Sequence, residues 1–290
     1  MDKAVFLCAG GDLRQVYMCE KLCTIGKVYT LGIEGAVGTE VISSPEDMPE
    51  SADILVLPIM SEGDSIDIGG EKIGLERLAS RVKAGGLVLG GKISSEQKNL
   101  FSDLGLVTED YFKRESLAVK NSIPTAEGAL MIAMGNSADT VFGSKVLILG
   151  FGRTGKGCAR LFKAVGAECT VAARRTEVLA QAWTEGFDTF TMSELAARID
   201  SFDTIINTVP AMILTEEILA TAKAGCVVID LASMPGGTDF VAAKRLEINA
   251  VHAIALPGKV APASAGRLVA ETIREITDER GITNCRKKTN

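Results

Sequence analysis

The sequence contains a single histidine, His252, and this scarcity excludes some classes of functional site. A metal centre with several histidine ligands cannot be built from one. The seven cysteines are an odd number and lie mostly in predicted helices and strands, which indicates reduced core thiols rather than a disulfide framework. Cys19 and Cys23 are four residues apart on one predicted helix face, but no histidine or further nearby cysteine completes a ligand set. We therefore predict no metal site.

The chain also lacks an excess of positive charge and a long apolar run. Its formal net charge is −6 at pH 7, which argues against nucleic acid or an anionic membrane as the main partner. No apolar stretch reaches the roughly 18 residues of a membrane span. The first nine residues lack the basic start of a signal peptide and lead directly into a predicted strand. We expect a cytoplasmic protein that binds neither nucleic acid nor membrane.

Apolar runs typical of strands alternate with helical patterns along the chain, which predicts parallel α/β architecture. With 290 residues and 47% hydrophobic content, the chain can form two such domains with ample cores. The strands predicted in the first 120 residues are 4–9, 28–31, 53–59 and 87–91, and the helices are 13–24 and 73–83. The turn-rich residues 61–70 follow a strand end and form either a binding loop or a long connection. The strands predicted in the second part are 145–149, 169–173, 204–207, 227–231 and 251–256.

The predicted fold is therefore α/β, with two doubly wound, Rossmann-like domains, parallel sheets and a cleft between them. Residues 1–120 form an N-terminal flavodoxin-like or Rossmann-like domain, which we expect to bind substrate. The C-terminal segment 262–290, helical over residues 262–278, returns to this domain. Residues 121–261 form the dinucleotide-binding domain, which begins with an interdomain helix at residues 122–136, where serine and proline are helix-start signals.

The most informative segment is a hydrophobic strand, a glycine-rich turn and a helix in direct succession. Gly150 and Gly152 allow a tight turn and the close approach of a pyrophosphate, while Gly155 lets the helix lie close to the strand. The apolar run before the turn and the buried strand after the helix supply the context that a lone glycine motif lacks. The predicted dinucleotide contacts are Gly150, Gly152, Arg153, Thr154 and Gly155. A packing turn without nucleotide is the alternative.

The end of the second strand of this domain favours NADP over NAD. An acidic side chain there would accept hydrogen bonds from the ribose 2′-hydroxyl of NAD. The chain instead reads Ala173-Arg174-Arg175-Thr176, with no carboxylate before Glu177. Two guanidinium groups at this point can bind a 2′-phosphate through charge-assisted hydrogen bonds. The alternative is that both arginines are solvated surface charges.

Three further loops at strand ends of this domain are candidates for cofactor binding: residues 207–210, 230–239 and 256–266. Glycines in the second loop allow close approach to a ligand, and the third loop leads into the last helix. Each loop could also be an ordinary turn. The cofactor contacts predicted from these loops are Thr208, Val209, Pro210, Asp230, Ala232, Ser233, Pro257 and Gly258.

Five motifs in a fixed order resemble the A-subunit family of dipicolinate synthase over nearly the whole chain. They are Gly10-Gly-Asp-Leu-Arg-Gln15, Asn121-Ser-Ile-Pro-Thr-Ala-Glu-Gly128, Gly150-Phe-Gly-Arg-Thr-Gly155, Asp230-Leu-Ala-Ser-Met-Pro-Gly-Gly-Thr-Asp-Phe240 and Leu256-Pro-Gly-Lys-Val-Ala-Pro262. Any one of these motifs is weak evidence, whereas their common order is specific. The layout is more distantly similar to the D-2-hydroxyacid dehydrogenases and alanine dehydrogenase, which have two such domains and a cofactor in the cleft.

The resemblance implies oxidation of a dihydrodipicolinate, formed from the 4-hydroxytetrahydrodipicolinate of the lysine pathway, to dipicolinate, with NADP accepting hydride. It also implies a second protein as partner, the B-subunit of dipicolinate synthase, and a place in the mother-cell cytoplasm of a sporulating bacterium. We further expect a homo-oligomer. The alternatives are an NADP-dependent dehydrogenase of another small hydroxy or imino acid, and a non-catalytic nucleotide-sensing Rossmann protein.

A small dicarboxylate substrate requires positive charge or helix-start N–H groups in its site. Arg14, directly after the first glycine turn, is the leading candidate, with a surface helix arginine as the alternative. Aromatisation also requires loss of a proton, and Glu127 is the candidate base if it is partly desolvated. Otherwise Glu127 only stabilises a helix start. Neutral hydrogen-bonding candidates in the catalytic site are Ser61, Ser94, Asn121 and Thr125.

The hydroxyacid dehydrogenases use a histidine in the loop that aligns with Leu256-Pro-Gly-Lys259, where this chain has Gly258 or Lys259. We therefore do not expect hydroxyacid oxidation by that histidine mechanism. Lys259 is a weaker cationic candidate for substrate binding. His252 lies earlier, on a predicted strand, and we expect it to be a core residue.

Overall fold

The computed structural model describes residues 3–60 and 62–283 and divides the chain into two compact units. Unit 1 comprises residues 1–120 and 261–290, and unit 2 comprises residues 121–260. Each unit is built around a six-stranded parallel sheet. Among the described residues, no helix combines the length and the apolar character needed to cross a bilayer.

The sheet of unit 1 has the strand order of a doubly wound dinucleotide-binding fold, β3-β2-β1-β4-β7-β8. Its strands are β1 (Ala4–Ala9), β2 (Gly26–Leu31), β3 (Glu40–Ile42), β4 (Ala52–Ile59), β5 (Ser65–Ile68), β6 (Glu71–Gly74), β7 (Val82–Gly91) and β8 (Val107–Asp110). Its helices are α1 (Leu13–Leu22), α2 (Leu75–Ala79), α3 (Ser95–Asp103), α4 (Glu115–Lys120) and the C-terminal helix (Pro262–Glu279). β5 and β6 pair with each other as an antiparallel hairpin outside the main sheet.

Both faces of the unit 1 sheet are buried, which explains why its central strands are continuous apolar runs. Successive residues of a strand point to opposite faces. In β1, Phe6 and Cys8 therefore pack in one core with α1 and the C-terminal helix, while Leu7 and Ala9 pack in the other with α2 and α3. Gly266 brings the C-terminal helix close to α1, because a Cβ atom there would lie 3.1 Å from the backbone nitrogen of Met18.

Unit 2 repeats this topology, with the strand order β11-β10-β9-β12-β13-β14. Its strands are β9 (Lys145–Leu149), β10 (Glu168–Ala173), β11 (Asp188–Thr191), β12 (Thr204–Asn207), β13 (Val227–Asp230) and β14 (Asn249–His252). Its helices are α5 (Ser122–Asn136), α6 (Arg153–Ala164), α7 (Thr176–Thr184), α8 (Leu195–Arg198), α9 (Glu216–Leu219), α10 (Phe240–Arg245) and α11 (Leu256–Val260). The predicted fold class of two Rossmann-like domains with parallel sheets is therefore confirmed.

Three local predictions are wrong. The helix predicted at residues 73–83 is only α2, because Ile73 belongs to β6 and Val82 begins β7. The turn-rich residues 61–70 contain strand β5, whose single buried residue Ile66 gives no apolar run to recognise. The strand predicted at residues 251–256 ends at His252, and residues 256–260 form the short helix α11.

The cysteines in the described part of the chain are free thiols. Cys8, Cys19, Cys158, Cys169 and Cys226 are buried in the two units, and Cys23 is half-buried. Burial raises the pKa of the Cys158 thiol to about 12, so this group is protonated at neutral pH. These residues serve as small apolar side chains in the cores. Cys285 lies outside the described residues.

Candidate functional site

The candidate dinucleotide site of unit 2 lies at the point where the strand order reverses, between β9 and β12. In open α/β sheets, ligands bind at the carboxyl ends of the strands at this point. β9 leads into the Gly150 turn and β12 leads into Thr208. The backbone N–H and the hydroxyl of Thr208 both donate to the carbonyl of Leu149, at 3.0 and 2.8 Å. The two strand ends are therefore held together.

The three glycines of the turn have the geometries that a phosphate-binding turn requires. Gly150 has a φ of +87°, and a Cβ atom there would lie 2.8 Å from the hydroxyl of Thr208. Gly155 allows α6 to approach the turn, since a Cβ atom there would overlap the carbonyl oxygen of Gly150 and lie 3.0 Å from its carbonyl carbon. A Cβ atom at Gly152 would meet nothing within 4 Å. Gly152 thus faces open space.

Gly152 is also the N-cap of α6 and offers no side chain to its first turn. The first turn of a helix has N–H groups without partners inside the helix, and they favour an anion. α6 is twelve residues long, so it is a full helix rather than a single turn. The turn therefore suits the pyrophosphate of a dinucleotide. Arg153 and Thr154 are the first two residues of this helix.

A pocket of about 480 Å³ extends from the glycine turn to the end of β10. Its lining consists of Gly150, Phe151, Gly152, Ala173, Arg174, Arg175, Val178, Met192 and Val209. The glycine turn and both arginines predicted to bind nucleotide thus lie in one pocket. The side chain of Arg175 is 72% exposed and forms an ion pair with Glu177 at 3.4 Å. Arg174 is also exposed.

The carboxylate of Asp230 accepts hydrogen bonds from neighbouring residues of the protein. Asp230 is 0% exposed and accepts hydrogen bonds from the backbone N–H groups of Ala232 and Gly237, at 2.9 and 2.8 Å. It also accepts a hydrogen bond from the amide of Asn207 at 3.0 Å. The predicted role of Asp230 as a cofactor contact remains a prediction. Its observed contacts shape the loop after β13.

The other loop residues predicted as cofactor contacts differ in exposure. Pro210 and Ser233 are exposed, while Ala232 is buried. Pro257 and Gly258 are half-buried on α11, not on an open loop. His252 lies at the end of β14, with its ring 5.3 Å from that of Phe240 and its Nε2 atom 3.4 Å from the carbonyl of Ala232.

In unit 1, Arg14 forms a bidentate ion pair with Asp12. Its Nε and Nη2 atoms donate to the two carboxylate oxygens at 2.9 and 2.6 Å, and its side chain is 13% exposed. Burial alone would raise the pKa of Asp12, but the hydrogen bonds from Arg14 outweigh it and the pKa is lowered. The same hydrogen bonds raise the pKa of Arg14. The pair is therefore fully ionised and carries no net charge.

Arg14 lines a pocket of about 230 Å³ at the strand-order reversal of unit 1, between the ends of β1 and β4. The β5–β6 hairpin lies over the ends of β1 and β2: a Cβ atom at Gly10, after β1, would lie 3.4 Å from Ile66, and one at Gly32, after β2, would overlap Ile68. The carboxylate of Asp12 caps α1 by accepting from the N–H of Arg14 at 2.9 Å. An acidic cap and a covering hairpin thus occupy the place that unit 2 leaves open.

The remaining catalytic candidates lie on several elements. Ser94 is the N-cap of α3 and accepts a hydrogen bond from the N–H of Gln97, so its hydroxyl is already used in a capping box. Asn121 precedes α5, and its buried Oδ1 atom has no hydrogen-bond partner among the described residues. The hydroxyl of Thr125 donates to the carbonyl of Asn121 at 2.8 Å. Glu127 is exposed and is the sixth residue of α5, beyond its first turn, so the alternative that it stabilises a helix start is wrong. Ser61 lies outside the described residues.

Two residues that shape these pockets were not predicted from the sequence. Asp12 sits in the motif Gly10-Gly-Asp-Leu-Arg-Gln15, and its position three residues before Gln15 is a capping-box pattern that could have been recognised. Asn207 ends a buried strand, and nothing in the local sequence shows that its amide meets a carboxylate 23 residues later.

Solved structures first define the general class of the chain. The transhydrogenase from Sinorhizobium meliloti is 17% identical, with a TM-score of 0.69 over 97% of this chain and 95% of that one. At this identity the similarity shows the fold alone, which is two Rossmann-like domains with parallel sheets. Residues 123–260 match the family model "S-adenosyl-L-homocysteine hydrolase, NAD binding domain". This match supports an oxidoreductase that uses a nicotinamide cofactor.

Closer similarities define the family. Residues 5–112 match the family model for the N-terminal domain of the dipicolinate synthase A-subunit. The chain is 34% identical over 280 residues to the dipicolinate synthase A-subunit of Bacillus subtilis, covering 93% of this chain and 94% of that protein. It is 33% identical to the same protein from Bacillus halodurans, whose crystal structure superposes with a TM-score of 0.87 over 95% of this chain and 98% of that one. The chain belongs to the A-subunit family of dipicolinate synthase.

Proposed function

We propose that this chain oxidises a dihydrodipicolinate to dipicolinate, with NADP as the hydride acceptor bound in unit 2. The observation that carries the proposal is the shared pocket of the glycine turn and the arginine pair in a member of this family. We propose further that the substrate derives from 4-hydroxytetrahydrodipicolinate and that the reaction serves sporulation in the mother-cell cytoplasm. The relatives are named as one subunit of their enzyme, which supports the dipicolinate synthase B-subunit as partner.

The residues of the unit 2 pocket fit a dinucleotide. Gly152 leaves more than 4 Å of free space beside the start of α6, where the two phosphates would lie. The hydrogen bond from the hydroxyl of Thr208 to the carbonyl of Leu149 holds the strand end before the turn in place, so the pocket is formed before a ligand binds. When bound, NADP supplies the site that accepts the hydride. The Rossmann pocket of unit 2 supports this assignment better than that of unit 1, because Asp12 caps α1 and would repel a phosphate.

The preference for NADP over NAD rests on Arg174 and Arg175. Both line the pocket directly after β10, where an acidic side chain would favour the 2′-hydroxyl of NAD. Arg174 is the stronger candidate, because Arg175 already faces the carboxylate of Glu177 at 3.4 Å. An exposed ion pair of this kind contributes about 0–1 kcal/mol, so a 2′-phosphate can compete with it.

We propose that unit 1 binds the dicarboxylate substrate through Arg14. The guanidinium group is largely buried in its pocket, and burial strengthens its hydrogen bonds to a carboxylate. Asp12 holds this group in place, so the substrate shares Arg14 with Asp12 or displaces it. Oxidation to the pyridine removes one hydride and one proton. Glu127 is the proposed acceptor of the proton, and because it is exposed, its desolvation would come from bound substrate.

The proposal is tested by combining the purified chain with the purified B-subunit of the same organism, NADP and freshly prepared 4-hydroxytetrahydrodipicolinate. The expected result is reduction of NADP, which is monitored by the near-ultraviolet absorbance of NADPH. The absorbance of dipicolinate should appear at the same rate. A matched reaction with NAD should be slower. Turnover of a 2-hydroxyacid by the chain alone, or tight NADP binding with no turnover in the presence of the B-subunit, would overturn the proposal.

A further inference from the structure

Asn207 and Asp230 form a buried polar pair at the ends of the neighbouring strands β12 and β13. Both residues are 0% exposed. The amide nitrogen of Asn207 donates to Asp230 Oδ1 at 3.0 Å and to the carbonyl of Val209 at 3.1 Å, while its oxygen accepts from the N–H of Val209 at 3.1 Å. The Asp230 carboxylate also accepts two backbone hydrogen bonds from its own loop. A buried charge is tolerated only when its oxygens have such donors.

These contacts join the loops after β12 and β13 into one hydrogen-bonded body. The N–H groups of Ile213 and Leu214 both donate to the carbonyl of Gly237 at 2.9 Å. The backbones touch at Gly237, where a Cβ atom would lie 2.6 Å from the carbonyl oxygen of Val209. Neither loop can move without breaking contacts of the other. The pair therefore fixes both loops at once.

Val209 connects this pair to the candidate dinucleotide pocket. Its side chain lines the pocket together with Gly150 and Arg174. A Cβ atom at Gly150 would lie 3.0 Å from Val209 Cγ2, so the side chain sits directly against the glycine turn. Asn207 holds both the N–H and the carbonyl of Val209. A change at Asn207 therefore reaches the pocket through one residue.

We propose that Asn207 and Asp230 are positioning residues, which hold Val209 and loop 232–237 in the conformation that binds the dinucleotide. Asp230 acts by holding these loops in place. The proposal rests on the proposed function of unit 2 as the dinucleotide site. The proposal gives Asn207 a role in cofactor affinity, although its side chain forms its hydrogen bonds with Val209 and Asp230.

The test exploits the fact that asparagine and aspartate have nearly the same shape. In the wild type, the amide of Asn207 donates a hydrogen bond to Asp230. Asn207→Asp replaces this amide with a second carboxylate at the same short distance. At pH 7.5 the two carboxylates repel each other, and as the pH falls the pair takes up one proton, which restores a hydrogen bond between them. We expect NADP⁺ to bind about tenfold or more weakly at pH 7.5, in line with the loss of a charge-assisted hydrogen bond, and to recover affinity towards pH 5.5.

The measurement is isothermal titration calorimetry with NADP⁺, which is stable in acid, across this pH range. His252 is the titratable group that packs beside the pair, since a Cβ atom at Gly236 would lie 3.4 Å from Asp230 Oδ2 and 3.6 Å from His252 Nε2. The wild type contains His252 and the same ligand phosphates, so its profile is the reference. Asn249→Asp makes the same chemical change at an exposed end of β14 and should leave the affinity unchanged.

Two further variants keep the proposal falsifiable if Asn207→Asp does not fold. Asn207→Ser and Asp230→Asn break the contacts without adding a carboxylate, so they should lose affinity at every pH with no recovery in acid. Folding is checked by circular dichroism. Folded variants that bind NADP⁺ like the wild type, or an Asn207→Asp loss that persists in acid, overturn the positioning role. If the wild type itself binds neither NADP⁺ nor NAD⁺, the proposed function fails first and the positioning role fails with it.

Discussion

Replacing Gly155 with alanine should destabilise unit 2, whereas replacing Gly152 with valine should cost about 1 kcal/mol of stability or less and weaken dinucleotide binding by about 100-fold. The two positions belong to the same turn but differ in what surrounds them. A Cβ atom at Gly155 would overlap the carbonyl oxygen of Gly150, and one at Gly152 would meet nothing within 4 Å. The side chain added at Gly155 therefore contacts the protein, and the side chain added at Gly152 enters the open space where we propose that the ligand binds.

The magnitudes follow from these distances. Ordinary contact is about 3.5 Å, so Gly155→Ala must move α6 or the turn by roughly 1 Å, and such overpacking costs about 1–3 kcal/mol. Gly152 is an N-cap with extended backbone, φ −78° and ψ −164°, which valine adopts readily. Losing a glycine N-cap costs about 1 kcal/mol or less. Blocking one or two phosphate hydrogen bonds of about 1.5–3 kcal/mol each should weaken binding by about 100-fold.

Urea unfolding followed by circular dichroism measures the first effect, and calorimetric titration with NADP⁺ measures the second. We expect a crossed pattern, in which Gly155→Ala shifts the unfolding midpoint and Gly152→Val shifts the dissociation constant of a stable protein. If Gly152→Val binds NADP⁺ like the wild type, the glycine turn is not the phosphate site. If Gly155→Ala unfolds like the wild type, the close approach of α6 to the turn is wrong.

Four other substitutions give independent tests. Arg174→Ala should weaken the binding of NADP⁺ by about tenfold or more and leave the binding of NAD⁺ unchanged. Arg175→Ala should have a smaller effect on NADP⁺ binding, because Glu177 competes for Arg175. Equal losses of affinity for both nucleotides would refute the 2′-phosphate role. Glu127→Gln should lower kcat about 100-fold with KM little changed if Glu127 is the base, whereas an unchanged kcat would exclude Glu127 as the base. Glu109 is partly buried, which would raise its pKa, but hydrogen bonds from Arg280 and Arg114 outweigh this and lower it. Its contribution to stability is thus complete above the unfolded pKa of about 4.3 and is lost as the pH falls through the lower folded pKa, so Glu109→Gln should destabilise the protein at pH 7 and progressively less below pH 4 in urea unfolding.

The central strands could be predicted because burial on both faces leaves a simple trace in the sequence. β1, β9 and β12 have the predicted bounds, since each is centred on consecutive buried apolar residues. The edge strands β3, β8 and β11 were not predicted. Each is three or four residues long and partly exposed, so each lacks the apolar run that identifies a buried strand. Short edge strands are defined by their neighbours in the sheet rather than by their own residues.

The site could be predicted only where one local segment carries the chemistry. The glycine turn is such a segment, and the structure brings it into one pocket with the arginines that follow β10. The pairing of Arg14 could not be inferred in the same way, because it depends on the geometry of its two hydrogen bonds to Asp12. The pair of Asn207 and Asp230 depends on the register of β12 with β13, which no local pattern specifies.

The two units show how one strand order can be used for two kinds of pocket. In both, a glycine turn follows the first central strand and a helix begins directly after it. In unit 2 the N-cap is Gly152, without a side chain, so the helix start can receive a phosphate. In unit 1 the N-cap is Asp12, whose carboxylate occupies that place and binds Arg14. Asp12→Gly is the smallest change that would move the anion preference: it should favour an anion at the start of α1 by removing the acidic cap, and it should at the same time free Arg14 for a carboxylate. If Asp12→Gly instead left the binding of inorganic phosphate and of dipicolinate to the chain unchanged, neither the cap nor the ion pair would be what separates the chemistry of the two units.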